Sequence, residues 1–482
     1  MTWSPTRRRV LTVCGALGAA GLVGSAVAQS TTDQWPQFCA DAANTGFADV
    51  TLPESPIAPT RRVSLDGTPV APAVVDDTVY VADASGAVTA FPRDLGQRHW
   101  RTRLDEPVRS APAVANDRVF VGCDDGRVYA LEAEDGRRAW RYDTNEAVRA
   151  PVTVDGARVV AGSTSAIGYS LSSSGGTEVW QRVTSGEIVA APAIADGTVY
   201  LGSTDGVVYA QEAGNGESEF RFETDGEIVA APAGYERSVY VGTRTGSLYA
   251  VSSSGNERWR YDVGGAVTAS PATGDSLAVV VSEKGTVAAV STGGGREQWR
   301  RELGGGPYTD PVVVDGTVLL GRADGTLLGF ALADGSDRFR ATIGGGIAAP
   351  PAVADGSIYL ADTSGGVALL AHTDRTPTPT TTATPTQSTP PTTRLPTTAE
   401  TTTRPPTDDP SGPTTRTTSP TPDGGDGPNT TPPDQGGDQG GLDDTATPTD
   451  TSSGSGPGFG VLGSLAALGL GAWRLRNDGE SK

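Results

Sequence analysis

PAVANDRVFVGCDDGRVYALEAEDGRRAW, residues 112–140, decides the fold, because its features return along the chain. The proline at its start recurs as Pro72, Pro112, Pro151, Pro192, Pro232, Pro271, Pro311 and Pro351, at spacings of 39 to 41 residues. The aromatic at its end recurs as Trp100, Trp140, Trp180, Phe220, Trp259, Trp299 and Phe339. Each follows a glycine by four residues: Gly96, Gly136, Gly176, Gly216, Gly255, Gly295 and Gly335. A fixed period near ~40 residues marks a propeller or a solenoid built from one repeated unit.

Inside a unit the hydrophobic period is that of a strand. Between Pro192 and Phe220, Ala193-Ile194-Ala195 is one short strand and Thr198 to Gly202 a second. Val207 to Ala210 is a third, and Glu219 to Glu223, around Phe220, a fourth. Asp196-Gly197, Asp205-Gly206 and Asn215-Gly216 separate them. Such pairs suit tight hairpins, whose central residues need φ > 0. They are therefore read as turn chemistry, not as calcium ligands or catalytic groups. Four antiparallel strands per unit make a propeller blade. A lone blade cannot bury both faces, so blades stack on their neighbours, and the recurrent aromatic is expected between them.

The proline marks eight first strands, but the aromatic marks only seven fourth strands. Counting back from Pro72 places Thr60-Arg61-Arg62-Val63-Ser64 where a fourth strand belongs, without the tryptophan. The expectation is an all-β, eight-bladed propeller of four-stranded blades over residues 60–372, closed by this N-terminal strand. Closure gives every blade a neighbour on both faces and leaves only short edges at the rim.

The Gly-x-x-x-Trp step resembles the tryptophan-docking repeat of the PQQ-binding-like propeller family, which includes quinoprotein dehydrogenases and the outer-membrane assembly lipoprotein BamB. The family pattern Ala-x-Asp-x-x-x-Gly-x-x-x-Trp stands here as Ala130 to Trp140, with Glu132 in place of the aspartate. The other units carry Pro92, Ser172, Glu212, Ser252, Ser291 and Ala331 at that position. The Gly-His and Trp-Asp pairs of the rival WD-repeat propeller are missing. The run Trp35-Pro36-Gln37-Phe38, followed by Thr45-Gly46-Phe47, looks like the lead-in of the same family. Residues 29–59 are accordingly expected to cover part of the ring.

The 482-residue chain is acidic, with 57 Asp and Glu and a net charge of −20. It holds 35 arginines and only two lysines, Lys284 and Lys482. That balance argues against a nucleic-acid partner, whose phosphates need basic patches. It suits a protein kept soluble in high salt, as in haloarchaea.

Residues 1–28 read as an export leader. Arg7 and Arg8 lie in a run resembling the twin-arginine motif, an apolar stretch follows, and Ala26-Val27-Ala28 offers a cleavage site. An uncleaved anchor is the alternative. Residues 373–456 are rich in Thr, Pro, Ser, Gly and Asp, too poor in apolar surface to fold, and read as a disordered stalk. Asn429 opens a glycosylation sequon within it. Pro457-Gly458-Phe459, an apolar run and then Arg474-Leu475-Arg476 resemble the PGF-CTERM sorting signal of archaeal surface proteins. Residues 457–482 are thus either cleaved and replaced by lipid or retained as a membrane anchor. Both readings tether the propeller at the cell surface.

No catalytic constellation emerges. His99 and His372 are the only histidines, and neither has the spacing of a metal or acid–base partner. Cys39 and Cys123 could pair in an oxidising exterior or stand as buried thiols. The approaches to the eight first strands should line a central funnel, where Arg109, Arg149, Tyr308 and Asp310 are the polar candidates for binding. Quinoprotein members of the family hold PQQ and calcium over the ring centre, usually beside an adjacent cysteine pair, which is lacking here. Asp310 is the only funnel carboxylate, too few for a calcium ion that takes six to eight oxygens. No cofactor and no metal are therefore expected. The expected function is a monomeric, non-catalytic binding or scaffold module for a surface protein or glycan. The alternative is a PQQ-dependent quinoprotein dehydrogenase.

Overall fold

The computed structural model describes residues 34–373. These residues form eight blades of four antiparallel strands, and no helix occurs among them. In blade 1, Ala73–Val75 is innermost, followed outward by Thr78–Ala82, Ala87–Pro92 and Trp100–Arg103. Blade 3 repeats the order with Thr153–Asp155, Arg158–Ser163, Ile167–Ser172 and Glu178–Val183. The first three strands of each blade are almost wholly buried and the fourth alternates toward solvent. This matches a sheet edge that packs on one side and meets water on the other.

The turns split into two kinds. Between first and second strands both central residues have positive φ in blade 2 and in blades 4 to 8, as at Asp196 and Gly197 (50° and 82°), while only Asp76 does in blade 1 and only Gly156 in blade 3. Asn116-Asp117 and Glu236-Arg237 adopt the same geometry without glycine. Between second and third strands only the glycine does: Gly206 has φ 80°, while the Asp205 carboxylate accepts the Val207 N–H at 2.9 Å. Only the first of the two Asp-Gly pairs is thus the two-residue hairpin that its sequence suggests.

The recurrent aromatics dock each blade on the next. Trp100, Trp140, Trp180, Trp259 and Trp299 donate their indole N–H to the carbonyls of Ala133, Ser173, Ala213, Thr292 and Leu332, at 2.6–3.1 Å. The indole also covers the neighbour's glycine. A Cβ added at Gly136 would stand 2.4 Å from the Trp100 ring, and one at Gly176 would stand 2.5 Å from Trp140. Phe220 covers Gly255 in the same way but has no N–H to give. Phe339 packs over Gly329 of its own blade, because blade 8 ends after Gly366–His372 without a turn to receive it.

The ring closes through the N-terminal strand, which runs Ile57–Ser64, three residues longer than the sequence pattern suggests. It pairs antiparallel with Gly366–His372, from Ile57 opposite His372 to Ser64 opposite Gly366. Arg61 faces Leu369 at the docking position that Trp140 holds opposite Ala130. Instead of an indole on a glycine, Arg61 reaches Asp94 at 3.3 Å. The Tyr359 hydroxyl reinforces this last junction by donating to the Arg93 carbonyl at 2.9 Å. Deeper in the latch, Arg62 forms a two-pronged pair with Asp362 at 2.7 and 2.9 Å, and the Asp362 side chain is 0% exposed. Burial alone would raise the Asp362 carboxyl. The bonds from Arg62, Ser364 and Gly366 outweigh it and hold the group below its ordinary range.

The residue after each docking position lies on the outer strand at the rim. It is arginine in seven blades: Arg62, Arg101, Arg141, Arg221, Arg260, Arg300 and Arg340. Blade 3 breaks this belt with Gln181.

Candidate functional site

The ring centre is filled by the chain's own lead-in. Trp35 exchanges two backbone bonds with Val74 at 2.7 Å each. The segment then takes the central N–H of the inner strands in order through blade 7. Val114 donates to Pro36 at 2.8 Å, Ile194 to Ala42 at 2.7 Å and Gly234 to Ala43 at 2.8 Å. Thr273 donates to Thr45 and Val313 to Gly46, both at 2.7 Å. At blade 3 the backbone does not reach, and the Gln37 side chain substitutes for it. Its Oε1 accepts from Val154 N at 2.9 Å and its Nε2 donates to Val154 O at 3.2 Å. Blade 7 gains a short parallel strand, Phe47–Ala48, and blade 8 is reached where Gly356 donates to Thr51 at 3.2 Å. An inner strand carries a row of backbone groups that must find partners when buried. One segment supplies them to seven of the eight inner strands and meets blade 8 at the turn that follows its inner strand.

The segment bends through positive φ at Cys39, Ala40, Asn44 and Gly46. The Asp41 carboxylate holds the second bend by accepting from the Thr45 N–H at 3.0 Å and from its hydroxyl. Asn44 Nδ2 donates into the ring, to Pro192 O at 2.8 Å and Pro232 O at 3.2 Å. Cys39 and Cys123 are both buried free thiols. Burial, with Asp310 and Asp41 nearby, raises the Cys39 thiol well above its ordinary value. Burial likewise pushes Cys123 up to about 12.

The four candidate binding residues do not form one funnel site. Asp310 is buried, its carboxyl raised by desolvation, and it accepts the Ser270 N–H at 2.5 Å. The small residues expected to line an open funnel are mostly buried too, among them Ala111, Ala150, Ala191, Ala231 and Ala349. Phe38 and Cys39 of the lead-in pack in one cluster with Ala111, Ala191, Ala231 and Ala349. Tyr308 lies apart, its ring 5.8 Å from the Arg322 guanidinium, beside a hollow of about 210 Å³ that Thr268, Ser282 and Glu283 also line.

Arg109 and Arg149 do come together. Each donates Nε to a different oxygen of Asp124 at 2.9 Å, and their side chains are 43% and 37% exposed. They precede the inner strands of blades 2 and 3, while Asp124 lies in the turn after the second strand of blade 2. Sequence reasoning missed Asp124. Its signal was present, because the equivalent turn position is Ala84, Thr164, Thr204, Arg244, Glu283, Ala323 or Thr363 elsewhere, and blade 2 alone has aspartate. His99 is exposed, and among the described residues no group of three or more His, Cys, Asp or Glu side chains could hold a metal.

The repeated indole-on-glycine docking and the closed ring meet the sequence profile described as outer membrane protein assembly factor BamB, which matches residues 19–168, 124–234 and 221–394. The chain belongs to this family. Among solved structures, this BamB-family propeller is similar to BamB from Moraxella catarrhalis, at 20% identity and TM-score 0.57 over 66% of this chain and 99% of the other. It is also similar to quinohemoprotein alcohol dehydrogenase from Comamonas testosteroni, at 14% identity and TM-score 0.61 over 73% and 82%. A europium-containing methanol dehydrogenase gives 13% identity and TM-score 0.62 over 71% and 99%. At these identities the likeness speaks for the fold alone. No curated protein matches the chain. The residues of the expected leader, Arg7, Arg8, Ala26 and Ala28, the sequon at Asn429 and the expected tail motif Pro457, Gly458 and Phe459 lie outside the described residues of this BamB-family propeller.

Proposed function

We propose that this BamB-family propeller is exported, tethered at the cell surface, and works as a non-catalytic binding or scaffold module for a protein or glycan partner. The observation that carries this reading is the filled ring centre. A quinone with its calcium ion needs an open floor and several carboxylate oxygens. The residues here do not fit that pair: the small ring residues pack against the lead-in, and Asp310 is buried and bonded to Ser270. The family's description as an assembly factor supports the same reading. The export leader, stalk and tail motif in the sequence support the surface address.

The partner face is placed at Arg109, Asp124 and Arg149. Both guanidiniums are fixed through Nε and keep half-exposed edges. Such forks suit a carboxylate-bearing partner. Capture of partners from native envelope in high salt tests the proposal, with the full chain compared against the Arg109→Ala/Arg149→Ala double variant. Surface proteins or glycans should be retained by the first and lost by the second. A quinone absorbance band or tightly bound calcium in the purified protein would overturn it.

A further inference from the structure

The outer strand of blade 3, Glu178–Val183, differs from every other rim strand. Its outward row is Val179, Gln181 and Val183, and it carries no charge. The two valines are 45% and 64% exposed, and they are the large hydrophobics left exposed among the described residues. A fourth strand also has one unpaired backbone edge, since its only ladder is with the third strand, here Ile167–Ser172. Natural sheets blunt such edges with charge. The arginine belt does this in the other seven blades and stops at this one.

We infer that this edge is a two-fold self-association surface, taking a second copy of the same chain in antiparallel pairing about Gln181. The symmetry argument is what selects a copy of this chain over an unrelated strand. An isologous pairing sets each residue opposite its own symmetry mate. With Gln181 on the axis, the regular stretch from Trp180 to Val183 pairs with its mate and neutral amides meet in the middle, while Val179, the extra residue of a β-bulge between Glu178 and Trp180, comes toward Val183 of the other copy at both ends. Directly opposed side chains on one face lie ~4.5–5.5 Å apart, close enough for the valines to pack. On the reverse face Trp180 comes opposite Arg182, and Glu178 comes opposite Thr184. No like charges are opposed. The same operation on any other rim strand sets an arginine against its own copy, which is repulsive. Blade 4 adds Glu219 against Glu223.

The contact is one strand long, well under the ~1,200 Å² of a stable interface, so the association is weak and concentration-dependent. Cysteine cross-linking in the full chain reads its geometry. Gln181→Cys should form a disulfide-linked dimer under copper phenanthroline, because only the axial residue meets itself. Val183→Cys should link poorly alone but efficiently when mixed with Val179→Cys. Cys39 and Cys123 are buried, and Cys14 is changed to serine in every variant so that no other thiol gives background. Arg221→Cys, the equivalent position on blade 4, should form no disulfide-linked dimer. Sedimentation velocity should show self-association in the unmodified chain, weakened at least tenfold by Gln181→Arg, which restores the missing belt residue. Equal cross-linking at 181 and 221, capture of a different protein at 181, or no association up to millimolar chain would each overturn the inference.

Discussion

Replacing Asp362 by asparagine tests how the ring is held shut. Asp362 is wholly buried and bonds Arg62 through both oxygens. It also accepts from Ser364 N at 2.9 Å and Gly366 N at 3.0 Å. Asparagine keeps one acceptor for these amides but turns its own N–H toward the Arg62 donor. Breaking a buried ion pair costs ~3–5 kcal/mol. Arg62 is 35% exposed and can recover water, so about 2–3 kcal/mol is expected, the range of a lost charge-assisted bond. Hydrogen exchange at the amides of Ile57–Ser64 is the assay, because it reads local opening of the latch. That loss should speed their exchange roughly 30- to 150-fold. Asp94→Asn is the control on the same strand. Its partner Arg61 is 48% exposed and Asp94 itself 71%, and such surface pairs contribute ~0–1 kcal/mol. If Asp362→Asn speeds exchange less than threefold, or no more than Asp94→Asn does, the buried pair is not what holds the latch. A pH series gives an independent arm. A carboxyl whose folded pKa is depressed adds stability above its unfolded value of ~3.9 and loses it as pH falls through the folded value. Latch protection in the natural chain should therefore fade below about pH 4, and this component should be absent from Asp362→Asn.

Trp180→Ala should cost ~3–5 kcal/mol in denaturant unfolding. Gly216→Ala should approach it, since its Cβ would stand 2.6 Å from the same ring at a φ of +74°. Gln37→Ala should cost about 1–3 kcal/mol by stranding the buried N–H of Val154, seen as a lowered urea midpoint with an unchanged slope. Arg109→Ala should leave the melting temperature within about 1 °C, being a half-exposed surface change, while lowering partner retention from native envelope. The acidic surface should make the fold salt-dependent, with the melting temperature rising between 0.2 and 2 M KCl. Full stability in dilute buffer would count against the high-salt reading.

Blade number, strand order and the closing strand were legible in the sequence because proline, glycine and tryptophan each have a geometric duty that repeats. That Trp140 packs between blades follows from the repeat, though its landing on Gly176 of the next blade does not. Arg61 taking over that duty at the final junction does not, since the sequence there records only a missing tryptophan. The course of residues 35–51 was hidden for a different reason. Its partners are mostly backbone amides, which have no signature in residue type, and only the resemblance of Trp35 to Phe47 hinted at a cover. The closed funnel was missed for the same cause: alanines such as Ala191 and Ala231 look identical whether they line a mouth or sit beneath a lid.

The circular course of residues 35–51 has a consequence for biogenesis. These residues emerge from the ribosome before the blades, yet every group they bind is synthesised afterwards, the last of them at Gly356. The amino end must therefore wait for the final repeat before it can seat, which makes completion of the ring an event of the finished polypeptide. The export leader proposed above, with its Arg7 and Arg8, suits that timetable, because a twin-arginine route would carry the cargo only after assembly is done.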